Sequence, residues 1–367
     1  MNTKKMRYVW FLVILCIFCL TLFLARTRSK VEMRNRIYHQ WNEHFVVSKG
    51  KESYVRTTND SNQTVVLSEA QSYGMLITVA AAKKGQAQQA DFDRLYQYYL
   101  NHRLEGTQLM SWKQTISNGK AKDEDHNATD GDLYIAYALL KAAQQWPKQA
   151  KDYQAQAKAI LEDILAHNYN EETGVLTVGN WANQDSEFYH LMRTSDTLPA
   201  QFQIFYEVTK DSKWLDIKEK MLQQLQTISS QTKTGLLPDF IWVDEQGTRV
   251  ADPKTIESKY DGAYSYNACR LPYNLVQSKD KTSQQLVKKM LNFFKSQRNL
   301  YAGYDLKGKA LNNHQAASFL APIVYASEHE KGYLKLVQQN KYIFTQDLPL
   351  NNYYDATMTT MIALELF

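Results

Sequence analysis

About twelve stretches of helical periodicity, joined alternately by short turns and long loops, constrain this 367-residue chain more than any other feature. Apolar residues recur at the spacing of one helix face over 33–47, 68–84, 91–103, 130–146, 148–168, 199–210, 213–232, 266–279, 283–297, 313–328, 331–344 and 353–366. Turns of a few residues follow Lys84, Trp146, Lys210, Lys279 and Glu328, whereas long loops precede 68, 130, 199, 266 and 313. A short turn makes two helices antiparallel neighbours, so six hairpins are expected. If the helix after each long loop is the inner one, all inner helices point the same way and the long loops gather on one rim, where function belongs. An α-solenoid is the competing all-helical arrangement, but no fixed period of about 34 or 40 residues is visible. The loops are also unequal, which favours an all-α closed ring of hairpins.

Residues 1–30 stand apart from that pattern. Residues 8–25 form an uncharged, mainly apolar run long enough to cross a bilayer, with Lys4, Lys5 and Arg7 before it and Arg26, Arg28 and Lys30 after it. The run ends Leu24-Ala25-Arg26-Thr27-Arg28, without a small-x-small cleavage site, which favours an uncut anchor over a removed signal peptide. A short leader ahead of a large body suits an N-in, C-out topology, a single-pass cell-membrane protein with its body outside the cell. The expected division is an anchor with basic flanks over 1–30, a polar stalk from Thr27, and one domain over 31–367. The six flanking basic residues exceed the whole chain's formal +5, so the remainder carries −1. A near-neutral body argues against nucleic acid as a partner. Cys16 and Cys19 lie in the apolar run, leaving Cys269 alone in the body, so no disulfide can form within it. The eight histidines show no metal-ligand spacing, and neither metal nor other cofactor is expected.

Within the ring, residues 128–146 read ATDGDLYIAYALLKAAQQW, an inner-helix pattern opened by Asp130 and Asp132. Thr129, three residues before Asp132, is expected to cap it. Standing alone, an Asp-Gly-Asp start would do no more than cap and solubilise a helix. The preceding inner helix begins SEAQSYGM at Ser68, with Ser68 and Gln71 at capping-box spacing and Glu69 in the first turn. A helix start lowers a carboxylate's pKa, so Glu69 could serve as an acid only if burial beside an ionised neighbour raised it again. Asp130, opening the next inner helix, could supply that charge. A third group lies in 252–273, where Glu257 and Asp261 share a loop ahead of Arg270, which is suited to orienting a carboxylate or binding a hydroxyl. Taken singly, Glu257 reads as a surface glutamate.

Tyrosine is frequent, at 24 residues, and Trp112, Trp181, Tyr189, Trp242, Tyr264 and Tyr304 fall in or beside the long loops. Aromatic faces beside carboxylates suit a sugar-binding groove, with flat platforms for the pyranose ring and polar groups for its hydroxyls. Some of these rings must fill the core instead.

The run ATDGDLYIAYALLKAAQQW resembles, along its whole length, the signature of glycoside hydrolase family 8, whose members include endoglucanases, lichenases, chitosanases and xylanases. SEAQSYGM resembles the segment carrying that family's proton donor, with Ala70 and Ser72 where many members have glycine. The similarity continues through RTSDTLPAQF, which contains Asp196, then GLLPDFIW, YDGAYSYNACRLPY and AGYDLKG. It implies an (α/α)6 barrel, an inverting reaction, and Glu69 as general acid. Many members carry the general base as Asp where this chain has Asn267, and an amide cannot take a proton from water. Members with this Asn look to use a glutamate of the preceding loop, which implies Glu257. Tyr273-Asn274 also replaces the usual Trp-Arg. An inverting pair must admit a water, so acid and base are expected roughly 6.5–9.5 Å apart.

These readings converge on an extracellular, membrane-anchored hydrolase acting at Glu69, Asp130 and Glu257. Trp112, Trp181, Tyr189, Asp196, Tyr264, Asn267 and Arg270 are the expected substrate-binding residues. The expected partner is a β-linked polysaccharide such as β-glucan, chitosan or a self-produced exopolysaccharide, which would link the protein to an exopolysaccharide synthesis or export system. A monomer is expected. A non-catalytic polysaccharide-binding relative and a polysaccharide lyase on a similar helical toroid are the competing readings.

Overall fold

The computed structural model describes residues 3–58 and 63–367, with side chains from Met6 onward. In chain order the elements are α1 (Thr3–Phe45), β1 (Val46–Lys49), β2 (Glu52–Val55), β3 (Thr64–Leu67), α2 (Ser68–Ala82), α3 (Gln89–Asn101), β4 (Lys113–Ser117), β5 (Lys120–Asp123), α4 (Thr129–Gln145) and α5 (Ala150–His167). They continue with β6 (Leu191–Arg193), α6 (Pro199–Thr209), α7 (Lys213–Ser230), β7 (Phe240–Asp244), β8 (Gly247–Val250), α8 (Leu271–Val276), α9 (Lys281–Ser296), α10 (Ala317–His329), α11 (Leu334–Asn340) and α12 (Tyr353–Leu366).

The even-numbered helices form the inner ring. α2 packs on α4, α6 on α8, α8 on α10, α10 on α12 and α12 back on α2, while α4 meets the 3-10 turn ahead of α6. The odd-numbered helices lie outside, α3 against α2, α5 against α4, α7 against α6 and α9 against α8, with α11 on α10 and α1 on α12. Among the described residues, twelve α-helices in two concentric layers make this an all-α fold of the (α/α)6 type. Inner helices α2, α4, α10 and α12 are buried around most of their circumference, as elements enclosed by a second layer must be. Outer α9 buries Leu286, Val287, Met290, Leu291 and Phe294 and turns its lysines outward.

The sixth hairpin joins the two ends of the chain. Trp41 Nε1 donates to Thr357 Oγ1 at 2.9 Å, the Phe45 ring meets Tyr353 edge-on at 5.8 Å, and Arg34 Nη1 donates to the Phe367 carbonyl at 3.1 Å. α1 therefore runs antiparallel to α12. A second close approach places the site: a Cβ on Gly131 would lie 2.1 Å from Ser68 Oγ and 3.0 Å from its carbonyl carbon. Glycine at 131 lets the starts of α2 and α4 touch, which sets Glu69 beside Asp130.

Several local expectations are overturned. The polar stretch expected as a stalk from Thr27 is helical instead, part of α1, which runs unbroken from Thr3 to Phe45. Of the basic flank, the side chains of Lys4 and Lys5 lie outside the described residues. Ser68 does not cap α2. Gln71, its supposed capping-box partner, is buried and tied by Nε2 to the carbonyls of Ser53 and Leu95. Thr129 is likewise inside α4 and donates to the Thr177 carbonyl, while Asp132 accepts from Met110 N and Asn127 Nδ2. The helix expected over 266–279 begins later, as a 3-10 turn over Ala268–Arg270 leading into α8, because Asp239 Oδ1 accepts from the backbone of Ser265, Asn267 and Ala268 and holds 265–267 outside the helix. Among the described residues, three small antiparallel sheets furnish the rim: β1-β2, β3-β4-β5 and β6-β7-β8. Their strands are three to five residues long, too short to show against the helical periodicity.

Candidate active site

The inner helices start on the sheet-bearing rim, and their first residues line a cleft of about 350 Å³. Its walls include Ser68, Glu69, Trp112, Asp130, Arg193, Glu257, Tyr266, Asn267 and Tyr354. Each carboxylate is delivered by a different device. β3 pairs with β4, Leu67 opposite Lys113, and hands the chain directly to α2 and Glu69. α4 brings Asp130, whose Oδ1 accepts from its neighbour Gly131 N at 3.0 Å. Glu257 sits on a loop wound around buried Asp261, whose carboxylate accepts from the backbone of Ile256, Glu257 and Ser258 at 2.8, 3.0 and 2.7 Å.

Two buried guanidinium groups tie the carboxylates together. Arg270 Nη1 donates to Glu69, to Tyr73 Oη at 3.0 Å and to Asp130 Oδ2 at 3.2 Å, while Nη2 donates to Ser195 Oγ at 2.7 Å and Asn267 Oδ1 at 2.9 Å. Arg193, held by pairing of β6 with β7, lies 3.2 Å from Asp130 Oδ1, 3.6 Å from Asp196 Oδ2 and 3.4 Å from Glu257 Oε1. Asn267 completes the circuit, its Nδ2 donating to Glu257 Oε2 at 2.8 Å. With its amide fixed by Arg270 on one side, Asn267 fixes the orientation of Glu257 on the other.

This arrangement sets Glu69 and Asp130 apart electrostatically. Burial pushes Glu69 up to about 7 against the pull of Arg270, with the charges of Asp130 and Glu257 pushing the same way as burial. Burial would also raise Asp130, but Arg193, Arg270 and the hydrogen bonds from Arg270 and Gly131 together outweigh it and hold Asp130 below its ordinary value. The Glu69 side chain is only 19% exposed, whereas that of Glu257 is 46% exposed and open to water. A protonatable group, a fixed negative charge and a solvated carboxylate thus face one groove.

Of the expected residues, Glu69, Asp130, Glu257, Trp112 and Asn267 meet at the cleft. Trp112 stacks on His126 at 5.8 Å, and Trp181 meets His126 edge-on at 6.2 Å and Phe188 at 5.4 Å, so Trp181 sits farther along the rim. Arg270, 1% exposed, orients carboxylates from beneath and presents no surface to a substrate hydroxyl. Asp196, also 1% exposed, lies behind Arg193 and is not a groove residue; burial pushes its carboxyl up to about 7. Tyr264 is fully buried between Phe294 and Phe319 and is a core residue, as is Tyr304, packed against Phe293. Tyr189 is 6% exposed and lines a separate depression with His167 and Tyr169, away from the carboxylates. Burial removes Arg270, Asp196 and Tyr264 from the groove surface, and position, in another depression, removes Tyr189.

Sequence reasoning missed Arg193, Tyr266 and Tyr354. Arg193 opens the RTSDTLPAQF segment, and a buried arginine among three acids could have been sought there. Tyr266 is 42% exposed, braced by Phe319 at 5.1 Å, and its carbonyl accepts from Tyr354 Oη at 3.1 Å. Its place within an expected helix hid it.

The model of glycosyl hydrolases family 8 matches residues 13–365. A β-glucanase of Niallia circulans is 31% identical over 298 residues, covering 78% of this chain and 72% of that protein. An endoglucanase of Bacillus sp. (strain KSM-330) is 30% identical over 275 residues, 71% of this chain and 58% of its own length. Among solved structures, the apo β-1,3-1,4-glucanase from Paenibacillus sp. X4 superposes with a TM-score of 0.82 at 25% identity, covering 93% of this chain and 92% of that one.

Proposed function

Because the chain belongs to glycosyl hydrolases family 8, we propose that it is an endo-acting, inverting hydrolase of a β-linked polysaccharide, with Glu69 as general acid and Glu257 as general base. The observation that carries this reading is the opposite electrostatic setting of Glu69 and Asp130 in one cleft. Glu69 protonates the glycosidic oxygen as its bond to the anomeric carbon breaks. Glu257 takes a proton from a water that attacks the same carbon from the other face. Asp130, kept ionised by two arginines, stabilises the positive charge that develops on the sugar ring and keeps Glu69 protonated in the resting cleft. Substrate filling the groove excludes water and pushes Glu69 further in the same direction. Tyr266 and Trp112 offer ring faces to flanking sugars.

A β-linked glucan is the substrate class favoured by the relatives, a β-glucanase and an endoglucanase. The exposed apolar surface of α1, including Trp10, Phe11, Phe18 and Phe23, supports a membrane anchor, since a contiguous apolar surface of this extent calls for a lipid or protein partner. A tether of this kind suits a polymer made or exported by the same cell, so a self-produced exopolysaccharide is the second substrate reading. The domain over 31–367 is then the extracellular catalytic body, with residues 1–30 as its anchor.

Product analysis on a panel of β-glucan, chitosan, xylan and exopolysaccharide tests the function by the appearance of new reducing ends. Glu69→Gln is expected to lower turnover by about 10²–10⁴-fold while leaving the fold intact. Glu257→Gln should do likewise, with azide restoring turnover as a glycosyl azide of inverted configuration. Full activity in Glu69→Gln would end the assignment, and full activity in Glu257→Gln would move the base elsewhere.

A further inference from the structure

The far end of the barrel carries a second cavity, of about 400 Å³, lined by residues from all six inner helices. Three of those helices connect it to the cleft and fix its direction. α2 begins at the cleft with Ser68 and Glu69 and its C-terminal boundary contributes Lys83 and Lys84 to the cavity. α4 runs from Asp130 to Lys141, and α12 from Tyr354 to Glu365. The cavity therefore opens on the face opposite the catalytic rim. Lys83, Lys84 and Lys141 line it together with one carboxylate, Glu365, which already accepts the Tyr273 hydroxyl at 2.6 Å. Burial, and then the charge of Lys83, pull the Lys141 pKa below its ordinary value, a penalty that an arriving anion would relieve.

α1 leaves the body at this same end. Because α1 is antiparallel to α12, Phe45 lies at the cleft side and Arg34 at the other, bonded to the Phe367 carbonyl, with Lys30 Nζ 5.4 Å from the Phe367 ring. The exposed apolar residues 8–24 continue outward from there in the same unbroken helix. From Ala25 to Met33, the first partly buried residue, is eight residues, or about 12 Å of helix. A body this close to the apolar segment, on a rigid helix, must present its cavity end to whatever surrounds that segment.

We propose that the cavity end is a membrane-docking face, in which Lys83, Lys84 and Lys141 receive the phosphate of an anionic phospholipid while the catalytic cleft points away from the bilayer. The inference rests on the reading of α1 as membrane-embedded. It assigns the lysines a role separate from catalysis and explains how a short tether leaves the groove open to a long polymer.

The test uses the full chain with Cys16 and Cys19 replaced by Ser, in nanodiscs with or without phosphatidylglycerol. A fluorophore is placed on Lys148→Cys, in the exposed turn after α4, or on Gln246→Cys, in the exposed turn between β7 and β8. Headgroup-spin-labelled lipid is the quencher. Quenching at 148 that rises with phosphatidylglycerol, with little at 246, is expected. Each Lys→Gln change at 83, 84 or 141 should lower the docked-to-undocked ratio about fivefold. Lys83→Glu/Lys84→Glu, confined to exposed positions, serves should the change at half-buried Lys141 disturb folding. Stronger quenching at 246 than at 148, or quenching at 148 indifferent to both lipid charge and lysine replacement, would overturn the docking face. Failure of the chain to co-float with vesicles would instead refute the anchor itself, while the hydrolase assignment is read independently from reducing ends.

Discussion

Asp261→Ala separates the placement of Glu257 from its chemistry. The Asp261 carboxylate accepts three backbone N–H groups within 3.0 Å, and bonds of this charged kind contribute about 1.5–3 kcal/mol each. Residues 256–258 are half-buried or exposed, so water can satisfy most of the freed donors, and the net loss should fall on local loop order. Global stability should drop by about 1–3 kcal/mol, whereas displacing Glu257 by about 1 Å should slow turnover roughly 100-fold. The assay is kcat on the best polymer, with thermal melting in parallel and a pH–rate profile across the neutral range. Asp261 does not touch Glu69, so the alkaline limb of kcat/KM, which reports the unliganded cleft, should remain near pH 7 even as kcat falls. Unchanged kcat, with increased proteolysis at Lys254 or Lys259 proving the loop loosened, would refute the role given to Glu257.

Gly131→Ala forces a methyl onto Ser68, so α2 and α4 must part at their starts; a loss of about 1–3 kcal/mol in denaturant unfolding, with reduced kcat, is expected. Asp239 is pushed up to about 8, chiefly by burial, so between the unfolded value near 4 and that pH the native state holds a proton that the unfolded state has lost. Stability must therefore fall as pH rises through this window and level off above about 8. Asp239→Asn keeps an oxygen for the three backbone donors and should remove about 1.4 kcal/mol per pH unit from that slope, read from melts between pH 5 and 8.

Helix count, the inner and outer layers and the functional rim could be read in the sequence because burial leaves a 3.6-residue signature over long segments. That Glu69 and Asp130 meet at one cleft was legible for the same reason, since each opens an inner helix, whereas Glu257, in a loop, was assigned as base through the family resemblance. The remaining contacts depend on long-range pairing that periodicity does not encode. Arg270 meets Glu69 across 201 positions of sequence, and Asp239 binds a loop 26 to 29 residues downstream. Caps failed because Gln71 and Asp132 found tertiary partners that outcompete a local bond. Tyr264 and Tyr189 failed because an aromatic residue in a long loop looks alike whether it ends in a groove or under one. The continuity of α1 was masked by the polar composition of 26–30, which a solvent-exposed helix tolerates.

The protonation state of Glu69 bears most directly on the whole account. Difference titration of its side-chain carbonyl by ¹³C NMR, wild type against Glu69→Gln, should give a value near 7, and Asp130→Asn should lower it by removing a neighbouring negative charge. The kcat/KM of the enzyme should then fall as pH rises through the same value and shift with it in Asp130→Asn. A Glu69 that titrates at an ordinary carboxylate value, or that does not respond to the loss of Asp130, would contradict its assignment as the acid.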